Sequence, residues 1–276
     1  SIGKVVGQQV IDLPASDPSL PGSMLEFLQG GQLFMERARV LEPSQAVTYP
    51  LADVSLAAPV PNPSKFLAIG MNYRKHVAEA VAAGIKVPDS QVWFNKQVSC
   101  VNGPFDSVLM PKVSDHLDYE AELGVVIGTR CRHVSEADAA SVIAGYVVCN
   151  DVSVRDWQMR SPTMMLGKSF NTHGPFGPWI VTREEIADPH NLSMRMFVNG
   201  ELRQEVNTGE MIYNIWQQIA YLSTVMTLEP GDVLATGTPS GVGLAYKPPK
   251  FLKVGDVARV EIDGVGHIEN RVAQEI

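Results

Sequence analysis

"LDYEAELGVVIG", residues 117–128, decides how the chain is read. In an extended strand successive side chains turn to opposite faces. That puts Asp118, Glu120 and Glu122 on one side and Leu117, Tyr119, Ala121, Leu123, Val125 and Ile127 on the other. Val125, Val126 and Ile127 continue the strand with apolar residues on both faces, the pattern of deep burial. No Lys or Arg is interleaved with the three acids, so they call for a cation, and an all-oxygen set of carboxylates suits a hard divalent ion such as magnesium. The competing reading is an edge strand whose acids are simply solvated.

Downstream, "VIAGYVVCND" (142–151) is a second apolar strand, and it ends in Asn150-Asp151. Asp151 is placed to add a third carboxylate to Glu120 and Glu122, or else to close the strand as a capping or turn residue. Arg155 and Gln158 lie three apart, neighbours on a helical turn that could hold a substrate carboxylate or carbonyl, unless Arg155 pairs with Asp156 at the surface. In "LGKSFNTHGPFGP" (166–178), Lys168 sits among small residues rather than on a charged helix face, where an ammonium could stabilise an enolate oxygen. A surface lysine is the plain alternative. "ATGTPSGVG" (235–243) follows a strand and offers backbone N–H groups around Thr238 for oxyanions. In "GMNYRKHVAEAVAAGIKVPDS" (70–90), His76 and Glu79 share one side of an Ala-rich helix that ends before Pro88. A carboxylate beside an imidazole orients the ring and raises its basicity, although a solvated helix with Arg74 and Lys75 would look similar.

The chain has 276 residues, 45% hydrophobic, enough for one large domain with or without a small one. A net charge of -8 and the lack of a Lys/Arg cluster argue against nucleic-acid binding. Cys100, Cys131 and Cys149 have no C-x-x-C spacing, so neither a disulfide framework nor a zinc site is indicated, and a reducing cytoplasm is expected. No signal-peptide core or bilayer-length apolar run is present, so no membrane partner is expected. Residues 1–60 read as a small N-terminal domain with a strand in "GQQVIDLPA", a helix around "GSMLEFLQGG" and a strand near "SQAVTYPLADVSL". The prolines of "PVPNPSK" make an extended connector, and residues 61–276 form the catalytic domain. Short strands dominate there, with helices expected at "SEADAASVIA" and "GEMIYNIWQQIAYLSTVMTL". The expected class is α+β with β predominating.

These segments in this order resemble the fumarylacetoacetate hydrolase family, in its smaller, bacterial-type acylpyruvate hydrolase branch, over nearly all of residues 60–276. The resemblance is carried by "IGMNYRKHVAEA", "DYEAELGVVIG", "GYVVCNDVSVRDWQ", "GKSF", "GPFGPWIVT", "VNGELRQ", "TLEPGDVLATGTPSGVG" and "FLKVGDVARVEIDGVGHIEN". It implies a mixed β-sandwich roll, a homodimer, and magnesium or manganese held by Glu120, Glu122 and Asp151, with Asp118 a nearby acid. It further implies a lid bearing a His76–Glu79 dyad, a site lysine at Lys168, and substrate contacts from Arg155, Gln158 and Thr238. Asn171 stands where the family more commonly has Asp. The implied activity is metal-dependent hydrolysis of a carbon–carbon bond in a 1,3-diketo acid of the acylpyruvate or fumarylpyruvate type. His76 and Glu79 would activate water, and the leaving enolate would be stabilised at the metal and by Lys168. Oxaloacetate decarboxylation, isomerisation and dehydration use the same enolate chemistry on this scaffold, and fold alone does not choose among them. A catalytically silent, metal-stabilised binding protein is the reading from another class.

Overall fold

Val125 and Val126 are both buried because the strand Ala121–Ile127 has a core on each side. Leu123, Val125 and Ile127 enter one core with Met194, Met196, Val260 and Ile268. Val126 enters the other with Phe66, Ala68, Phe94, Val147 and Phe176. The computed structural model describes residues 1–276 apart from Ala83, Ile85 and Pro88. Pro88, the expected stop of the dyad helix, lies outside the described residues.

The central sheet has seven strands in the order Val92–Lys96, Phe66–Gly70, Val233–Ala235, Ala121–Ile127, Ile143–Asn150, Gly174–Thr182 and Val101–Asn102. It is mixed: Val233–Ala235 runs parallel to Phe66–Gly70, and Gly174–Thr182 parallel to Val101–Asn102, while the other pairs are antiparallel. A five-stranded sheet of Glu201–Asn207, Ser193–Val198, Val257–Ile262, Gly266–Gln274 and Val108–Met110 packs its apolar face on the first core. The alternation in Ser193–Val198, with Met194, Met196 and Val198 buried, is what a strand with one inward face requires. Fold class and sheet-on-sheet packing agree with the expectation from the sequence.

Three details differ from the sequence reading. The acid-bearing segment is not one strand: Leu117–Asp118 pairs with Ser153–Val154, and pairing in the large sheet starts at Ala121. Both of its faces are buried, so the solvated-edge alternative is excluded. "SEADAASVIA" forms only a short 3-10 turn, Ala139–Val142, before Ile143 begins a strand. Pairing of Ile143 with Ile127 outweighs the helix propensity of its alanines. In the second expected helix only Ile215–Val225 is α-helical, starting where Asn214 and Gln217 form a capping box. Ile215, Gln218, Ile219, Leu222 and Ser223 are its buried stripe.

Near the N-terminus, Gly3–Val6, Gln9–Asp12 and Thr48–Pro50 form a three-stranded antiparallel sheet. Helices Met24–Gln29 and Gly31–Arg39 accompany it, the first capped by Ser23 and the second not anticipated from sequence. Ile11, Leu13, Leu20, Phe27 and Ala38 pack together there. Among the described residues no helix is long and apolar enough to cross a membrane.

Candidate functional site

Strand register assembles the acids. In the antiparallel pair Ala121–Ile127 and Ile143–Asn150, Ala121 lies opposite Asn150 and Glu122 opposite Cys149. Glu120 therefore leaves the sheet where Asp151 does, and the Asp151 N–H donates to the Glu120 carbonyl at 2.9 Å. The Asn150 side-chain oxygen accepts from the Glu120 N–H at 2.9 Å and fixes the same corner. Carboxylate oxygens of Glu120, Glu122 and Asp151 lie within 4.8 Å of one another, and all three residues are buried.

Asp118 belongs to a different structure. It accepts from the N–H groups of Tyr119, Gly243 and Leu244 at 2.9, 2.7 and 2.9 Å, and from Arg155 Nε at 2.7 Å. Its oxygens are fully engaged, so it anchors a loop and stays outside the triad.

The cations that the strand lacks come from elsewhere in the fold. Lys168 Nζ lies 2.6 Å from Glu120 Oε2 and 2.7 Å from Asp151 Oδ2, and Arg155 Nη1 lies 2.6 Å from Glu120 Oε1. Neither base is the surface residue of the plain alternatives, and Arg155 does not pair with Asp156. Gly167 permits the approach of Lys168, since a Cβ there would lie 2.2 Å from the Gln158 backbone nitrogen. A third cation, Lys96, was not anticipated: it is 1% exposed, its Nζ lies 2.6 Å from Asp151 Oδ1, and it also donates to the Lys168 carbonyl.

Four acids and three bases are thus buried together: Asp118, Glu120, Glu122 and Asp151 against Lys96, Arg155 and Lys168. One negative charge is left over. Burial pushes the Glu122 carboxyl well above its ordinary value, and the neighbouring Asp151 and Glu120 push it further. Glu120 goes the other way: Lys168, then Arg155 and His76, outweigh the cost of burial and bring it down to about 2. The arrangement fits a hard divalent cation: its donors are all oxygen, it is enclosed, and its surplus charge sits on the acid without a cation of its own.

The remaining candidate residues surround this centre. Strand Val233–Ala235 pairs with Ala121–Ile127, so the chain beyond it passes the triad, and the Gly237 N–H donates to Glu122 Oε2 at 2.7 Å. Gly237 has φ +105°, and a Cβ there would fall 2.7 Å from the Cβ of Asn72, so glycine is required. Thr238 follows, 4% exposed. Asn72, also missed from sequence, is fully buried and ties Thr236 to Tyr213 through its side-chain amide. His76 and Glu79 sit on the helix Arg74–Ala82, with Nδ1 3.1 Å from Oε2, and the other Glu79 oxygen accepts from the Gly241 N–H at 3.0 Å. Gln158 accepts from Arg155 Nη1 at 2.9 Å, while Arg155 Nη2 is buried with no protein partner among the described residues.

A carboxyl raised in the fold retains a proton that the unfolded chain releases above about 4.5, so Glu122 costs stability as pH rises from there towards its folded value. Glu120, lowered to about 2, stabilises fully above 4.5 and loses that contribution as pH falls from there to about 2. In chelator the melting temperature should therefore decline above pH 5, because the unfolded chain ionises Glu122 while the fold keeps it protonated. Saturating magnesium should abolish the decline, since the cation binds the ionised form. Melts from pH 5 to 8 with and without magnesium test this; parallel curves would contradict it.

A family model described as "Fumarylacetoacetate (FAA) hydrolase C-terminal" matches residues 65–273. A mitochondrial oxaloacetate tautomerase of Xenopus laevis is 46% identical over 268 residues, covering 96% of this chain and 83% of that protein. A fumarylacetoacetate hydrolase from Exiguobacterium antarcticum superposes with a TM-score of 0.86 at 35% identity, covering 99% of this chain and 95% of that one. A maleylpyruvate hydrolase from a Sphingobium species, solved with manganese(II) and pyruvate, gives a TM-score of 0.81 at 34% identity, covering 99% of this chain and 96% of that one.

Proposed function

Because the chain belongs to the fumarylacetoacetate hydrolase family, we propose that it is a divalent-cation-dependent enzyme interconverting the keto and enol forms of oxaloacetate or a close 2-oxo dicarboxylate. The observation that carries this reading is the acidic triad with Lys168 against two of its members, and the His76–Glu79 dyad tied through Gly241 to the loop whose Gly237 binds Glu122. The identity to an oxaloacetate tautomerase over nearly the whole chain supports the choice of substrate.

A magnesium or manganese ion held by Glu120, Glu122 and Asp151 would act as a Lewis acid on the substrate's oxygens. His76 has Nδ1 held by Glu79, which leaves Nε2 to take the proton from the carbon between the two carbonyl groups. The charge then moves to the 2-oxo oxygen, where the Lys168 ammonium stabilises it, and return of the proton from His76 to that oxygen completes the enol and restores the neutral imidazole. Arg155 Nη2 has no protein partner among the described residues, and the Thr238 hydroxyl, which accepts from Gln204, keeps its proton for a carboxylate oxygen.

A second reading, hydrolysis of a carbon–carbon bond in an acylpyruvate-type acid, is favoured by the likeness to maleylpyruvate and fumarylacetoacetate hydrolases. Here His76 would take its proton from water instead of carbon. The two are separated by following enol loss from oxaloacetate and cleavage of acylpyruvates, each with magnesium, for wild type and His76→Gln. Tautomerisation should be fast in the wild type and fall by about 10²- to 10⁴-fold in the variant. A wild type that cleaves acylpyruvates while leaving enol loss at the buffer rate would establish the hydrolase reading instead.

A further inference from the structure

Gln204 is 1% exposed on the strand Glu201–Asn207, and its amide joins three parts of the site. The Ala121 N–H, between the two triad glutamates, donates to Gln204 Oε1 at 2.9 Å. Gln204 Nε2 donates to the Pro239 carbonyl and to Thr238 Oγ1, each at 2.9 Å. The orientation of this amide is not ambiguous. A backbone N–H can only donate, so the atom facing Ala121 is oxygen; a proline carbonyl can only accept, so the atom facing Pro239 is nitrogen.

The consequence falls on Thr238. A hydroxyl has one proton and two lone pairs, and one lone pair is already used by Gln204. Its proton has no protein acceptor among the described residues, and Thr238 adjoins Gly237, whose N–H is bound to Glu122. We infer that Gln204 is a positioning residue that fixes Thr238 as a hydrogen-bond donor towards the substrate, so that the site selects a ligand presenting a carboxylate or carbonyl oxygen at that point. The inference rests on the reading of Thr238 as a substrate contact. It adds the polarity of that contact and the residue that sets it.

The test is a double-mutant cycle read by calorimetric titration of oxalate in the presence of magnesium, using wild type, Thr238→Val, Gln204→Met and the double variant. Thermal melts establish that each is folded. Losing one hydrogen bond to a charged oxygen should weaken oxalate about 10- to 100-fold in Thr238→Val. Gln204→Met should lose a similar factor, and in the Thr238→Val background it should cost little more, because both remove the same oriented donor. With oxaloacetate the loss should appear in KM more than in kcat. If Gln204→Met does not fold, Gln204→Glu keeps the shape and the acceptor for Ala121. It draws the Thr238 proton onto the introduced carboxylate, and its added charge is measured separately in the Thr238→Val background. Full additivity, or wild-type affinity in either single variant, would overturn the inference. No oxalate binding by the wild type would instead remove the proposed function itself, and the inference with it.

Discussion

Glu122→Gln should lose more than 99% of activity while folding at least as stably as the wild type in chelator. The substitution is nearly isosteric, and the amide oxygen can still accept from the Gly237 N–H, so the local structure is retained. What disappears is the surplus acid. Three acids then face three bases, and the carboxyl whose ionisation burial opposes most is gone. In the metal-free protein that relieves a cost; in the working enzyme it removes a charged ligand from a small set. Activity with saturating magnesium and melts in chelator are the two readouts. A variant destabilised by several degrees in chelator would mean that Glu122 serves the fold.

Lys168→Met should be damaging in two separable ways. Without metal it leaves Glu120 and Asp151 short of a cation in a buried cluster, four acids against two bases, and a broken buried pair costs about 3–5 kcal/mol. Magnesium should restore most of that stability, because it supplies charge to the same carboxylates. It should not restore activity. The ammonium stabilises the oxygen that carries charge in the transition state, and losing one such donor costs about 10²- to 10³-fold. Melts and turnover, each with and without magnesium, distinguish the effects. Recovery of both by magnesium would show that Lys168 only balances charge.

The sequence discloses the parts of this site that patterning controls. Glu120 and Glu122 in an otherwise buried run, and Asp151 at the end of an apolar strand, lie together in the fold because the register of two adjacent strands brings their ends to one corner. Asp118 shares their spacing yet is held by Arg155 and three backbone N–H groups, since the chain leaves one pairing and enters another between Asp118 and Ala121. That break depends on contacts distant in sequence. Lys96 and Gln204 were missed for a related reason. Lys96 shares the inward face of its strand with Phe94, and Gln204 shares one with Val206, a polar residue in line with buried ones. The signal is visible once the inward face is known, but in short strands a polar residue there resembles an exposed one. The segment "SEADAASVIA" forms a turn and not the expected helix: its alanines favour helix locally, while the pairing that decides the outcome lies with Ile127.

The proposed chemistry requires a divalent cation held by Glu120, Glu122 and Asp151. Its most direct test is calorimetric titration of manganese or magnesium into chelator-stripped wild type and Glu122→Gln at neutral pH. One site per chain is expected in the wild type, and no measurable binding in the variant. Binding of equal strength in both proteins, or none in the wild type, would contradict it.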